Sequence, residues 1–232
     1  SKKYIKQIYK NFKGKIFLTN NYTACYIKQL SNAFFSSLIS FSNSFALLAD
    51  NNPKYKIDVI TSFNALKSDQ RFGKLSLPIL NYINPGMGFG GYCLPKDISA
   101  LSNFEKNSIS SEFYKSIIKI NDQMILMHLK NILKKIKYDQ KIIILGLSFK
   151  PNSGDIRFSK SIELTDILLK KGYKKITLCD PSCIKLLKQR YQSSVKYIKK
   201  PTFMKDTHYI LATAWSEYIK FSRKIPKKNL ID

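Results

Sequence analysis

Between Asn84 and Asp97 the chain reads Asn-Pro-Gly-Met-Gly-Phe-Gly-Gly-Tyr-Cys-Leu-Pro-Lys-Asp, a glycine-rich loop running into a cysteine, a lysine and an aspartate. Four of the nine glycines, Gly86, Gly88, Gly90 and Gly91, fall within six positions. Such a density marks a loop that needs positive φ or close approach to a ligand. Pro95 suits the first residue of a helix running to about Lys106, because its missing N–H costs nothing in a first turn. Cys93 then stands at a positive helix end, where unpaired N–H groups and the dipole favour a thiolate. Lys96 adds a cation. Asp97, four residues after Cys93, lies about one helical turn away, where it could orient a water or a lysine or receive a proton. Nucleophile, cation and carboxylate at this spacing suit covalent catalysis. The plainer alternatives are an inert buried thiol at Cys93 and, at Asp97, a first-turn carboxylate that the dipole favours in any case.

Gly86-x-Gly88-x-x-Gly91 also fits the dinucleotide-binding fingerprint, which requires a hydrophobic strand before it and a helix opening inside it. Pro85 precedes this copy and Pro95 delays the helix until the glycines have passed, so it does not read as a Rossmann phosphate cradle.

The loop instead resembles the catalytic segment of the nucleotide-sugar 6-dehydrogenases, the UDP-glucose/GDP-mannose dehydrogenase family, whose signature is close to G-x-G-F-G-G-x-C-x-P-K-D. Lys28-x-x-x-Asn32, within Thr23-Ala-Cys-Tyr-Ile-Lys-Gln-Leu-Ser-Asn-Ala-Phe34, resembles A-E-x-x-K-x-x-x-N-x-F. Gly146-Leu-Ser-Phe-Lys-Pro-Asn-Ser-Gly-Asp-Ile-Arg157 resembles G-L-A-F-K-x-x-x-x-D-x-R, and Asp180-Pro181 and Thr213-Ala-Trp215 follow in family order. The resemblance implies an NAD-dependent oxidoreductase that converts the C6 alcohol of a nucleotide sugar to a uronic acid in two hydride transfers. Cys93 would hold the intermediate as a thiohemiacetal and then a thioester. Lys28 and Asn32, one turn apart, would steer a water or the developing oxyanion, beside a catalytic Asp97. Read without the family, they are a solvated lysine and a buried polar asparagine.

By the same resemblance Tyr82, Gly86, Phe89 and Gly90 line the sugar-nucleotide pocket, and Phe149 and Lys150 meet the nucleotide. Lys96 and Arg157 contact cofactor, and Arg71, in Arg71-Phe-Gly73, reaches a neighbouring subunit's site across a stretch to Tyr82 longer than usual. The loop is nearer the glucose enzymes than the amino-sugar branch, which carries histidine before the cysteine where Tyr92 stands; GDP-mannose stays open. Cys25, Ser44 and Ala214 replace family glutamates. Relatives open with an NAD-binding domain, and residues 1–20, with Lys15-Ile-Phe-Leu-Thr19, read as that domain's last strand and linker. On this reading the chain is a portion of the enzyme that does not turn over unaided, or a noncatalytic sugar-nucleotide binder.

Periodicity supplies the elements that must position these residues. Ile27, Phe34, Phe41 and Leu48 recur every seven residues with Leu30, Leu38 and Phe45 between them, so Tyr22 to Asp50 reads as one long amphipathic helix. By resemblance this helix carries a homodimer interface; packing within the chain is the alternative. Helices near Ile57–Ala65 and Ser111–Lys137 complete an α-helical central domain, 21–138. From Lys141 strands at Ile142–Leu145, Lys175–Leu178 and Tyr209–Ala212, with a helix at Ser161–Lys171, give a Rossmann-like parallel α/β C-terminal domain, 139–232. The fold class is therefore α/β.

Composition narrows the partners. The net charge of +25 is spread through every segment without a nucleic-acid motif. It reads as solvated surface whose field attracts an anionic nucleotide sugar, with no specific nucleic acid as partner. No apolar run approaches the length of a membrane span and no signal peptide is evident, so the expectation is a cytoplasmic protein off the membrane. The four cysteines lack zinc-site spacing, so no metal is expected, and Cys179-x-x-x-Cys183 reads as packing.

Overall fold

The computed structural model describes residues 2–72 and 78–231. A short helix, α1 (Lys2–Ile8), leads into an irregular segment. The strand expected at Lys15–Thr19 is not formed there. A strand needs a neighbour for its N–H and C=O groups, and no described strand pairs with it.

The expected long helix runs over α2 (Asn21–Asn51), opened by Asn20, whose side chain accepts the Thr23 N–H at 2.8 Å. Its buried face is small and partly polar: Ala33, Ser36, Ser40, Ser42, Asn43 and Ala46. Ser36 and Ser42 return their hydroxyls to the Asn32 and Leu38 carbonyls one turn back, at 2.9 and 3.1 Å, so burial leaves neither unsatisfied. Small side chains allow close approach of α4 (Cys93–Phe104) and α5 (Ile109–Lys135). The heptad residues point the other way. Ile27, Leu30, Phe34, Phe41, Phe45 and Leu48 are all between 48 and 56 % exposed, so the chain covers only about half of this stripe. Phe41, Phe45 and Leu48 instead form a groove of about 270 Å³ with Ile57, Phe63 and Leu66 beside α3 (Val59–Lys67). The central core is built from Ala33, Phe89, Ile98 and Ile117.

The second unit alternates β1 (Lys141–Leu145), α6 (Lys160–Lys170), β2 (Ile176–Cys179), α7 (Ile184–Tyr191), β3 (Lys196–Ile198), β4 (Thr207–Leu211), α8 (Ser216–Ser222) and β5 (Leu230–Ile231). The five strands form a parallel sheet ordered β3-β2-β1-β4-β5. Both faces are covered, as a parallel sheet requires. Ile142 and Ile144 join one core with α5, α6 and α7, while Ile143 and Leu145 join another with Tyr209 and Tyr218. Cys179 and Cys183 are packed inside, and burial pushes the Cys179 thiol up to about 11.

Two boundaries differ from expectation. The helix after the glycine loop begins at Cys93, two residues before Pro95. Proline is tolerated there because first-turn N–H groups have no intrahelical partner. The limit between the units falls inside α5: Ile117 packs in the central core, whereas Ile125, Leu129, Ile132 and Ile136 pack against the sheet.

Candidate active site

Cys93 occupies the first position of α4 and is exposed. No side chain caps this helix start, which leaves the positive end of the backbone open beside the thiol. One turn on, Asp97 is 2 % exposed and bridges two elements. Its Oδ2 accepts from Asn32 Nδ2 of α2 at 2.5 Å, and its Oδ1 pairs with Lys96 Nζ. Burial by itself would raise the carboxyl. The hydrogen bonds from Lys96 and Asn32, with the charges of Lys96 and Lys28, outweigh it and hold Asp97 below its ordinary 3.8. Lys28, Asn32, Lys96 and Asp97 are therefore one electrostatic group, and Cys93 stands at its edge.

The α/β unit closes over the loop from the other side. The Gly91 N–H donates to the Arg157 carbonyl at 3.1 Å. At Gly91, where φ is +76°, an added Cβ would lie 2.7 Å from the Phe149 ring; at Gly90 it would overlap the Phe158 carbonyl. The glycines thus permit protein to approach protein. Protein fills the Cβ space at Gly88, Gly90 and Gly91, and only Gly86 faces open space, so most of this loop's glycines serve close packing. Arg157 binds Asp155 through both nitrogens, Nη2 at 2.6 Å and Nε at 3.0 Å, and its guanidinium lies 5.3 Å from the Tyr92 ring centre. The Asp155 hydrogen bond and charge raise Arg157, with smaller contributions from Tyr92 and Cys93, which places this cation within electrostatic reach of the thiol. Lys150 lies 5.5 Å from the Phe149 ring centre.

The sheet explains why this loop projects here. In the order β3-β2-β1-β4-β5 the connections leave β1 and β4 on opposite sides, and ligands of such sheets bind beyond the carboxyl ends of those strands. Phe149 and Lys150 leave β1 at that point. Asp180, buried at the end of β2, fixes the segment: its carboxylate accepts the Leu147, Ser148, Ser182 and Cys183 N–H groups at 2.9, 3.2, 2.8 and 3.0 Å.

The remaining expected residues are distributed as follows. Tyr82 is 39 % exposed and its ring packs on Phe35 at 4.5 Å. Phe89 is 5 % exposed within the central core, where its ring anchors the loop, and it also borders a cleft of about 570 Å³ with Pro95, Asn121 and Arg157. Arg71 is on the surface, 88 % exposed and bound to Asp69, and residues 73–77 of the long stretch toward Tyr82 lie outside the described residues.

Two residues absent from the sequence reading also touch the loop. Asn43 of α2 accepts the Gly86 N–H at 2.9 Å through Oδ1. Asn121 of α5, 6 % exposed, accepts the Phe89 N–H at 2.7 Å and donates to the Phe89 carbonyl at 3.2 Å. A signal for the second existed: Asn121 interrupts the apolar stripe Ile117, Met124, Ile125 at helical spacing.

With this geometry in place, comparison with known proteins is direct. The model of the UDP-glucose/GDP-mannose dehydrogenase family central domain matches residues 22–123, and that of the family's UDP binding domain matches residues 143–232. The chain belongs to this family. It is 32 % identical over 217 residues to the UDP-glucose 6-dehydrogenase of Rickettsia prowazekii, covering 88 % of the chain and 46 % of that protein. A UDP-glucose dehydrogenase from Pyrobaculum islandicum superposes with a TM-score of 0.79 at 28 % identity, over 94 % of the chain and 49 % of its own. The UDP-D-ManNAc dehydrogenase of Pyrococcus horikoshii gives 0.69 at 25 % identity, over 98 % and 51 %. The chain spans about half the length of these relatives. No helix among the described residues is long and apolar enough to cross a membrane.

Proposed function

We propose that this chain is the catalytic and nucleotide-sugar-binding portion of an NAD-dependent dehydrogenase that oxidises the C6 alcohol of UDP-glucose to the carboxylate. The observation that carries the reading is the exposed Cys93 at an uncapped helix start, beside the Asn32–Asp97–Lys96 group and under the loop that holds Phe149 and Arg157. NAD, when bound, supplies the acceptor for both hydrides. On this chain Lys96 and Arg157 would reach it: they are exposed cations near Cys93, which suits a pyrophosphate.

The protein's own residues do the rest. Cys93 Sγ forms a C–S bond to the C6 aldehyde left by the first oxidation, and Asn32 Nδ2 and Lys28 Nζ hold the oxyanion of that adduct. After the second oxidation, water cleaves the thioester and returns the thiol. Asp97 orients Asn32 and Lys96 by binding both, and can take a proton from the attacking water. Phe149 and Tyr82 offer ring faces, and Lys150 a cation, for the uridine diphosphate. The exposed stripe of α2 fits a second copy of the chain, and Arg71 would then serve the partner's site.

The test is the complete protein, its adjoining domain included, assayed for NADH with UDP-glucose, GDP-mannose and UDP-N-acetylglucosamine. Two NADH per UDP-glucose, abolished by Cys93→Ser, are expected. NADH from another sugar alone would move the substrate, and no NADH from a folded protein with any of them would leave a sugar-nucleotide binder.

A further inference from the structure

We propose that Asn121 is a positioning residue for the reaction, the clamp that holds the catalytic loop in the one backbone conformation able to present Gly88 to Gly91 to the sugar. The inference rests on the dehydrogenase reading for its consequence in substrate binding, and on geometry alone for the clamp. A carboxamide carries one acceptor and one donor edge, and Asn121 gives both to one residue, the Phe89 N–H at 2.7 Å and the Phe89 carbonyl at 3.2 Å. These backbone groups lie on a buried residue in a glycine-rich loop without regular secondary structure, and among the described residues no other hydrogen bond reaches them. The room for the amide comes from Gly88: φ is +101°, and a Cβ there would overlap Asn121 Oδ1.

The loop and the helix are thus matched at two positions 33 residues apart, Gly88 and Asn121. Asn43 grips the same loop three residues before Phe89, at Gly86. Asn121 also stands on the wall of a cavity of about 570 Å³ behind the loop, so the loop has space to sag if the clamp is lost. The ring of Phe89 alone cannot prevent this, because a side-chain anchor leaves the peptide planes on either side free to rotate.

Asn121→Asp provides the test. An ionised carboxyl can still accept from the Phe89 N–H but sets an acceptor against the Phe89 carbonyl, and that repulsion drives the peptide off the helix and opens the neighbouring Phe89 amide with it. A protonated carboxyl again offers one acceptor and one donor. Charged groups on the walls around it are Asp122, Glu163 and Asp166 with Arg157, Lys160 and Arg190, three of each sign. On the full chain, hydrogen exchange should show Phe89 amide protection in Asn121→Asp lowered by about tenfold or more at alkaline pH, the worth of a lost buried hydrogen-bond partner. Protection should return as the pH is lowered, while the wild type shows no such switch. UDP-glucose affinity and the rate of Cys93 alkylation by iodoacetamide should follow the same switch.

Wild-type protection and alkylation rate in the folded variant at every pH would overturn the clamp, as would lost stability with no local change at Phe89. Should Asn121→Asp not fold, the same readings on Asn121→Ser, which shortens the side chain out of reach of both groups, decide the matter without the pH switch. A wild type that never binds UDP-glucose, with the exchange switch intact, would remove the substrate reading and leave the clamp standing.

Discussion

Asp97 shows how one side chain carries more than its own chemistry. Its carboxylate is the junction of Asn32 and Lys96, and its folded pKa lies below the 3.8 of the unfolded chain. The stability it contributes is therefore present above that value and is lost as pH falls through the lower folded value. Asp97→Asn should flatten that part of an acid-denaturation curve, and should cost about 1–3 kcal/mol at neutral pH because Lys96 and Asn32 lose an ionised partner. Gly90→Ala, measured by urea unfolding, should cost about 2 kcal/mol or more, since the methyl meets the Phe158 backbone rather than a side chain that can yield. Cys93, Asp97 and the glycines were legible because their types and order are unusual and contiguous. Asn121 and Asn43 were not, because their partners are backbone groups 32 and 43 residues away, and sequence spacing does not encode a carbonyl's direction. Phe89 belongs to the central core and also borders the cleft beside Arg157.

Among elements, α2 is the most instructive. The seven-residue period marks the helix and its ends to within a residue. It does not say which face the chain itself buries. Convention assigns the apolar stripe to the core, but close contact with α4 and α5 selects Ser36, Ser40 and Asn43, and the phenylalanines are left outside. If a second copy covers them, Phe41→Ser with Phe45→Ser should convert dimer to monomer in light scattering. Chemical stability of the isolated chain should fall by about 1–2 kcal/mol, because the two rings also pack on each other and on Phe63. Unchanged association would place the dimer elsewhere. The short elements β3, β5, α7 and α8 escaped the sequence reading for another reason: runs of two to eight residues carry too little periodicity to register. Lys15–Thr19 is irregular in this chain, since an apolar run is a strand only where another strand receives it.

At the scale of the molecule, the two units share a helix. The front of α5 contributes Ile117 to the central core and Asn121 to the loop, while its rear contributes Ile125, Leu129 and Ile132 to the core of the sheet. Lys160 of α6 adds a crossing contact to Asp122 of α5 at 3.3 Å. Thermal unfolding should therefore be a single transition, with Trp215 fluorescence reporting the α/β unit and far-ultraviolet dichroism reporting the long helices along one curve. Separate midpoints would show that the shared helix does not couple them. At about 1.5 Å per residue α5 is a rod of about 40 Å. A rod seated in two cores has no place to bend without emptying one of them. Any opening of the cleft beside Cys93 must then pivot at some other joint, with the thiol, the glycine loop and the Phe149–Lys150 segment travelling together as a single jaw.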